Sequence, residues 1–440
     1  MSTLPLAAWM FPAALTMIFV GMPVSLSLIV VAIGFSIPFF GAELAGLQLY
    51  RFIGSVAANN ALAAVPLFIF MGAVLENSGI GGRVFNAMKL WLGRLPGGLA
   101  LATMAMCAIF AAGTGIVGAV EVMVGLLAIP AMVANKYDKG LISGTICAGG
   151  SLGTMIPPSI VVIIYASVAQ MPVGDMLAGT LIPALIMVTL FFGYILVYCI
   201  LKPSAAPKVD PAEFDIPLST KLWITVKAII PPAILVTSVV GSILMGIAAV
   251  SEAAAVGAAG AVLLTIFYGD FSWKGTWQAA VKTIVITSMI MLIVVGGTMF
   301  TSVFRLQGGG QLVNDMVRAL DLGPTGLLLL FLGIVFVMGA LLDWVSVVLI
   351  CIPLFMPFLA PAGIDPLWFG ILVIIMIQTS YLTPPMAPSI FYLRGIAPKD
   401  FTTVEMYKGV VPFVICQVIT GIVVYFWPAT ALWLPAFFLQ

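Results

Sequence analysis

The sequence predicts an all-α polytopic membrane protein of two inverted repeats, each with a re-entrant helical hairpin and a broken helix. Of its 440 residues, 62% are hydrophobic and only 8% are charged, so nearly the whole chain needs surroundings that exclude water. Its apolar stretches reach the roughly 20 residues that a membrane-spanning helix requires. Double prolines interrupt two of these stretches at corresponding places in the two halves of the chain.

The first half is predicted to contain apolar helices, one interfacial helix and one hairpin. The N-terminus lacks the basic start of a secretory signal peptide, and we interpret it as a retained first helix. Basic residues and Trp91 within 81–94 predict an amphipathic helix in the cytoplasmic interface. The hairpin, at 96–135, has the sequence AAGTGIVG in its middle. The other predicted helices lie near 4–20, 22–40, 61–78, 141–170 (broken at Pro157-Pro158) and 176–201, and a polar linker follows at 202–218.

The second half repeats this order of elements. Pro157-Pro158 recurs as Pro384-Pro385, and an Ile-Pro pair recurs ahead of it, at a nearly constant offset of about 225 residues that indicates a duplicated unit. The predicted elements are helices near 221–246, 250–269 and 283–304, an amphipathic segment 306–320, a hairpin 324–361, a helix 366–398 broken at the second double proline, and a last helix 404–436.

The distribution of basic residues predicts the orientation. If each hairpin enters and leaves on one face, every Lys and Arg except Arg51, Arg305 and Arg318 falls on the same side of the membrane. By the positive-inside rule this side is cytoplasmic. Both termini are then expected to be periplasmic, and the hairpins enter from opposite faces, which makes the repeats inverted.

The broken helices predict binding sites. A double proline removes two backbone donors and frees carbonyl groups that hydrocarbon cannot satisfy. Carbonyl oxygens with neighbouring Thr and Ser hydroxyls suit a hard cation such as sodium, while the N-termini of half-helices suit an anion. A purely structural role is the alternative for one double proline, and the matched pair makes it less favoured. Inverted repeats with such interruptions are typical of secondary transporters.

Three acidic residues, Glu121, Glu252 and Asp343, fall in predicted membrane segments. A carboxylate within a membrane is costly enough to suggest a function. Direct ion or proton binding and a structural hydrogen bond both remain open for these residues. For Glu252, which follows Ser251 at a predicted helix start, the structural role is favoured.

Composition excludes several classes of function. The chain contains no histidine, so histidine-based catalysis and proton relays are absent. A net charge of +1 without basic clusters argues against nucleic acid. The five cysteines lie far apart in apolar segments and suggest neither disulfides nor a thiolate metal site. The sequence at 149–153 matches the G-x-S-x-G elbow of hydrolases, but it lies within a predicted membrane helix. No enzyme activity is predicted.

Five stretches of the sequence are distinctive of a known family. They are AVPLFIFMGAVLENSGI (64–80), GRLPGGLA (93–100), SLGTMIPPSIVVIIYASVA (151–169), VSEAAAVGA (250–258) and MGALLDWVSVVLICIPLFMPFLAPAGIDPLWFGI (338–371). With them the chain resembles, over nearly its whole length, the large permease subunit of TRAP transporters, the tripartite ATP-independent periplasmic carriers of bacteria and archaea.

The resemblance implies an ion-transporter-type fold whose transport domain moves against a scaffold in an elevator fashion. It also implies sodium as the coupling ion, a small four-helix membrane subunit and a periplasmic substrate-binding protein. The expected units are N-terminal scaffold helices with the interfacial helix (1–95), a first transport-domain repeat (96–175), scaffold helices with the linker 202–218 (176–320), a second transport-domain repeat (321–400) and a C-terminal helix (401–440).

The resemblance also implies site residues, carried over position by position. Family members often have Ser-Gly-Ser at the first hairpin turn, whereas this chain has Gly-Thr-Gly at 113–115, so one hydroxyl is missing or replaced by a carbonyl. The sodium candidates are Gly113, Thr114, Thr154, Pro157, Ser159, Gly339, Asp343, Thr379, Thr383 and Pro388. The wider set of ion- and substrate-binding residues adds Gly115, Pro158, Pro384, Pro385 and Ser389.

Together these features predict the large membrane subunit of a sodium-coupled secondary transporter in a bacterial or archaeal inner membrane. It is expected to import a small organic anion, such as a carboxylate or keto acid, delivered by a periplasmic binding protein. The second break resembles the branch associated with aromatic and keto acids rather than with sialic acid. The alternative is a stand-alone ion-coupled dicarboxylate or ion exchanger of the same fold that needs no partner. No cofactor besides sodium is expected.

Overall fold

The structure is a computed structural model that describes residues 6–115, 117–208 and 216–438. Every regular element in these ranges is a helix, and seven of the described helices are long and apolar enough to cross a membrane. In the first half the α-helices are α1 (Met10–Phe19), α2 (Val24–Ala57), α3 (Asn60–Asn77), α4 (Ile80–Leu92), α5 (Gly98–Thr114), α6 (Val117–Ala134), α7 (Lys139–Ser151), α8 (Ile160–Ala169) and α9 (Val173–Leu201).

The second half continues the same pattern. Its α-helices are α10 (Leu218–Leu244), α11 (Val250–Tyr268), α12 (Trp273–Leu306), α13 (Gly309–Ala319), α14 (Pro324–Leu341), α15 (Trp344–Leu359), α16 (Pro366–Leu382), α17 (Pro388–Ile396), α18 (Thr403–Phe426) and α19 (Ala429–Phe438).

Both predicted hairpins are confirmed as packed helix pairs, α5 with α6 and α14 with α15. Both predicted broken helices are also confirmed. The first consists of α7, a 3-10 turn and α8, and it is interrupted at residues 155–159, which we call the first break. The second consists of α16 and α17, and it is interrupted at residues 383–387, the second break.

The two broken helices begin in the same way. An aspartate caps each one, because Asp138 accepts a hydrogen bond from the Leu141 amide at 3.1 Å and Asp365 accepts one from the Leu367 amide at 2.8 Å. The two aspartates are separated by the same number of residues as the two double prolines. Each broken helix therefore starts and stops at matching positions of a repeated sequence.

The two halves of the chain interlock. The half-helix after the first break, α8, packs against α15 of the second hairpin, and the half-helix after the second break, α17, packs against α6 of the first hairpin. Against this core lies a second group of helices in which α2, α3, α11 and α12 pack on one another. The hairpin turns and breaks therefore meet in the middle of the molecule, beside α12 and α3.

The helix predicted near 22–40 is confirmed up to the non-helical Gly41, where a kink separates it from a second helical segment that continues to Ala57. Two other predicted helix boundaries are wrong. The helix predicted from residue 283 begins at Trp273, because Ser272 caps it by accepting from the Gly275 amide at 3.3 Å. The predicted last helix is divided after Phe426, since the residue before Pro428 is held out of the helical conformation.

Parts of two predicted elements lie outside the described residues. The first predicted helix began at residue 4, and the structure describes it from Leu6, first as a 3-10 turn and then as α1. In the polar linker predicted at 202–218, residues 209–215 are not described.

Candidate functional site

The first break is a buried turn held by its own hydroxyl groups. Thr154 Oγ1 donates to the Ser151 carbonyl at 2.9 Å, and Ser159 Oγ donates to the Thr154 carbonyl at 2.6 Å. Pro157 and Pro158 are buried between them and are joined by a cis peptide bond. Oxygen atoms are thus concentrated in an otherwise apolar interior, as a hard cation requires.

The tip of the first hairpin lies directly on the first break. Gly115 ends α5 with a φ of 58°, and a Cβ built on it would lie 2.6 Å from the Pro158 carbonyl oxygen. Thr114 is buried and donates to the Phe110 carbonyl at 3.0 Å. Gly113 faces the Leu75 side chain and a separate apolar cavity of about 230 Å³. The turn therefore brings Gly115 to the break, while Thr114 packs against Gly72 of α3 and Gly113 faces away from the break.

The second break has the same chemistry but is more exposed. Thr379 Oγ1 donates to the Ile375 carbonyl at 2.8 Å, and Thr383 Oγ1 donates to the Thr379 carbonyl at 2.7 Å. Pro384 and Pro385 follow, exposed and joined by a cis peptide bond, and α17 then begins at Pro388. The hydroxyl groups again cluster where the helical hydrogen-bond ladder stops.

The second hairpin touches the second break through Gly339. A Cβ built on this glycine would lie 2.2 Å from Ser380 Oγ. Beyond the tip, Asp343 is the N-cap of α15, accepting from the Ser346 amide at 3.2 Å and from Ser346 Oγ at 2.6 Å. Each hairpin tip therefore lies beside the broken helix of its own half of the chain, as the family resemblance implied.

We expect Gly339→Ala to destabilise the protein by about 1–3 kcal/mol, because the added methyl group overpacks the contact with Ser380. Ser380→Gly in the same chain removes both clashing side-chain atoms and should recover part of the loss. Gly333→Ala in the same helix is the matched control, since nothing lies within 4 Å of its Cβ position. The stability of the purified variants is measured as the fraction that stays monodisperse after heating. Equal stability of Gly339→Ala and Gly333→Ala would contradict the prediction.

A cavity of about 550 Å³ lies between the hairpin tips and the second helix group, and we call it the central cavity. Of the predicted site residues, Gly115, Gly339, Asp343 and Pro388 line it. The predicted residues buried away from its wall are Thr114, Thr154, Pro157, Pro158, Ser159, Thr379 and Ser389. Other parts of the wall come from the start of α2, the end of α3, α6, the start of α8, the first half of α12, the start of α15, and Ser380, Tyr381 and Tyr392 near the second break.

Two charged residues of this wall were missed by the sequence analysis. Lys282 of α12 and Glu76 of α3 form an ion pair across the cavity edge, with 2.6 Å between Lys282 Nζ and Glu76 Oε2. Their side chains are 34% and 16% exposed, so solvent still reaches the pair. Lys282 was assigned to a surface segment only because α12 was predicted to begin too late. It is the one basic residue among the described residues that line the central cavity.

Glu121 joins the two repeats instead of lining the cavity. It is fully buried in α6, and its Oε1 accepts a hydrogen bond from Ser389 Oγ of α17 at 2.7 Å. A Cβ on Gly150 of α7 would lie 1.9 Å from the Glu121 Cγ, so only glycine fits there. The structure shows the hydrogen bond, while Glu121 Oε2 has no hydrogen-bond partner among the described residues, and a role in ion or proton binding stays a prediction.

Glu252 has the structural role that its position favoured. Its Oε2 accepts from the backbone amide of Ala249 at 2.9 Å, at the start of α11. A carboxylate in the first turn also interacts favourably with the helix dipole.

Nearly the whole length of the chain matches known proteins. Residues 11–430 match the family described as tripartite ATP-independent periplasmic transporter, DctM component. The C4-dicarboxylate TRAP transporter large permease protein DctM of Vibrio cholerae is 27% identical, with 97% of each chain covered. The ectoine/5-hydroxyectoine TRAP transporter large permease protein UehC of Ruegeria pomeroyi is 26% identical, with 98% of each chain covered.

A solved structure supports the fold. The crystal structure of the Alcanivorax borkumensis YdaH transporter superposes with a TM-score of 0.60 over 88% of this chain and 90% of that one, at 16% sequence identity. Because the identity is so low, this likeness concerns the fold alone. The family match over nearly the complete sequence carries more information: this chain belongs to the DctM family, the large permease subunits of tripartite ATP-independent periplasmic transporters.

Proposed function

We propose that the chain is the membrane subunit of a sodium-coupled secondary transporter that imports a small organic anion through the central cavity. The observation that carries this is the composition of the cavity wall. Both hairpin tips and the two half-helix ends beside the second break face the second helix group there, and Lys282 of that group lies on the wall in an ion pair with Glu76. A cavity of about 550 Å³ is also within the range of about 300–1,000 Å³ that small-molecule sites occupy.

The two pairs of hairpin tip and break are the proposed sodium sites. In the first pair, Thr114, Thr154 and Ser159 supply buried oxygens beside the carbonyls released at the double proline. In the second pair, Asp343 supplies a carboxylate on the same cavity wall as Ser380 and Pro388, which lie on either side of the second break. In this structure each of these hydroxyl groups donates to a backbone carbonyl nearby in the sequence. In the proposed mechanism the hydroxyl oxygens coordinate sodium when the ion binds.

The two repeats are proposed to be related by an axis in the membrane plane. Ser151 and Gln378 are separated by the same number of residues as the two double prolines, and the Gln378 amide donates to Ser151 Oγ at 3.0 Å. Residues that lie on a two-fold axis contact their own equivalents in this way. Reciprocal packing of α8 on α15 and α17 on α6 supports the same relation.

In this arrangement the hairpins and broken helices move as a transport domain against the second helix group, which acts as the scaffold. The scaffold wall of the central cavity includes Pro23, Glu76 and Lys282. The distribution of basic residues predicts that the end of the bundle that carries Glu76 and Lys282 faces the cytoplasm and that both termini are periplasmic. We therefore interpret the conformation as inward-facing, with the cavity at the level where substrate is released.

The proposed partners follow from the tripartite architecture. They are a small four-helix membrane subunit and a periplasmic substrate-binding protein, with the complex in the bacterial or archaeal inner membrane. Relatives are named for substrates as different as C4-dicarboxylates and ectoine, so membership of the family leaves the substrate open. Here Lys282 supports a carboxylate or keto acid.

The test is uptake into proteoliposomes that contain this chain, its small subunit and its binding protein, under an imposed sodium gradient, with a panel of labelled organic acids. We expect sodium-driven uptake that disappears when the binding protein is left out. Uptake by this chain alone would instead favour a stand-alone exchanger of the same fold. Uptake that proceeds equally without sodium would contradict the coupling.

A further inference from the structure

The wall of the central cavity carries few charges, and its basic group is already shared. Among the described residues that line the cavity, the charged ones are Lys282, Glu76 and Asp343. Lys282 Nζ is paired with Glu76 Oε2 at 2.6 Å. The wall therefore offers an entering anion a single lysine, and it presents two carboxylates to any further negative charge on the same molecule.

Sodium at the two proposed sites would change this balance at one place only. The hydroxyl groups of the first site, from Thr114, Thr154 and Ser159, are buried away from the wall. An ion at the second site offsets the charge of Asp343. A carboxylate that meets Lys282 is then matched, whereas a second carboxylate finds no other basic residue in the described wall. Because burying an unpaired carboxylate costs free energy, the wall suits one carboxylate per substrate.

The part of the wall that continues from Lys282 is apolar. Four residues of α12 line the cavity after it, namely Ile286, Met289, Ile290 and Ile293. They follow Lys282 by four, seven, eight and eleven residues, and these spacings place all of them on its face of the helix. At a rise of 1.5 Å per residue this apolar face extends roughly 16 Å from the lysine. A substrate whose carboxylate meets Lys282 therefore has hydrocarbon beside the rest of its length.

An aromatic ring from the second broken helix adds to the apolar wall. Tyr392 of α17 packs directly on Gly118 of α6, where a Cβ would lie 2.8 Å from two atoms of the ring. The Tyr392 side chain lines the cavity and is 47% exposed. Aromatic rings provide a large apolar contact area and pack favourably on other rings. Tyr392 thus gives the cavity a surface on which a branched or aromatic body can lie.

We propose that the central cavity selects a monocarboxylate with a branched or aromatic hydrocarbon body. Its carboxylate binds Lys282, and its body packs on the apolar face of α12 and on the Tyr392 ring. This inference rests on the proposed function and narrows its substrate class. A C4-dicarboxylate, for which one relative is named, would bring a second charge to a wall that can pair only one.

The test is isothermal titration calorimetry of the purified full chain with its small subunit, in sodium chloride and, for comparison, in choline chloride. Isovalerate has one carboxylate and a branched body, phenylacetate has one carboxylate and a ring, and succinate is similar in size to isovalerate but has two carboxylates. The periplasmic binding protein is left out, so that the affinities belong to the membrane complex. We expect succinate to bind at least about tenfold more weakly than the two monocarboxylates.

Substitutions of Tyr392 test the apolar part of the site. Tyr392→Ala should weaken the binding of phenylacetate about fivefold to tenfold, because it removes a contact between two rings. Tyr392→Phe keeps the ring and should bind phenylacetate as the wild type does. Phe391→Ala is the matched control, since Phe391 is the neighbouring aromatic residue of α17, is exposed and is not among the described residues that line the cavity. It should leave the affinity unchanged.

Three results would overturn the inference. The first is succinate binding as tightly as isovalerate, which would leave the proposed transport of organic anions standing. The second is a Tyr392→Ala variant that binds phenylacetate as the wild type does, or no better preserved binding in Tyr392→Phe, which would assign the contact to the hydroxyl group. The third is the absence of sodium-dependent binding for all three acids, which alone would also count against the proposed function.

Discussion

Replacing Lys282 by methionine is expected to raise the KM for organic-anion uptake about tenfold to hundredfold. The estimate corresponds to the loss of a charge-assisted hydrogen bond worth about 1.5–3 kcal/mol. Methionine keeps the length and packing of the lysine stem, so expression and membrane insertion should be unchanged. The measurement is the concentration dependence of sodium-driven uptake into proteoliposomes with the complete set of partners.

Glu76→Gln separates substrate binding by Lys282 from a purely structural ion pair. Lys282→Met and Glu76→Gln both remove the ion pair in which Lys282 Nζ and Glu76 Oε2 are 2.6 Å apart. Since both side chains are partly exposed, the pair itself contributes little to stability. If Lys282 binds the anion, removing the competing Glu76 carboxylate should leave KM unchanged or lower it. Equal increases of KM in the two variants would mean that the lysine serves only its partner.

The sequence analysis succeeded where structure is decided by neighbouring residues. The double prolines stop α7 and α16 because each proline removes a donor and clashes within its own helix. Gly115 ends α5 at a positive φ for an equally local reason. The two hairpins and two broken helices could therefore be predicted from the sequence, while the pairing of tips and breaks was implied by the family resemblance.

Helix lengths were harder to predict. The helical segment from Gly41 to Ala57, which contains Glu43 and Arg51, was not predicted from the apolar pattern. Helices are not confined to the apolar part of the chain, so hydrophobicity alone marks their ends poorly. The start of α12 could have been found, because Ser272 is an N-cap residue directly before the apolar segment.

The scaffold side of the central cavity required the folded chain. Glu76 and Lys282 come from helices separated by most of the first repeat and the linker, and no local pattern joins them. Glu121 and Ser389 were each identified as residues of interest, but their hydrogen bond depends on how α6 packs against α17. Sequence reasoning thus found the parts that sodium is proposed to use, and it missed the part that faces the anion.

We expect Asp343→Asn to abolish sodium dependence or to raise the sodium concentration for half-maximal uptake at least about tenfold, with little loss of stability. Asparagine caps a helix about as well as aspartate. Its side-chain oxygen can still accept from the Ser346 amide, which Asp343 binds at 3.2 Å. What the substitution removes is the negative charge that the second proposed sodium site contributes. Uptake at varied sodium concentration and a thermal unfolding curve measure the two effects separately.

Asp343→Ala and Glu252→Gln complete this experiment. Alanine removes the cap as well as the charge, so it should lower stability by about 1 kcal/mol in addition to impairing sodium coupling. Glu252→Gln neutralises another acid at a helix start, where the carboxylate accepts from the Ala249 amide away from the central cavity. It should leave the sodium dependence unchanged. Wild-type sodium dependence in Asp343→Asn would restrict Asp343 to capping α15, and the second sodium site would then have to be built from Thr379, Thr383 and backbone carbonyls alone.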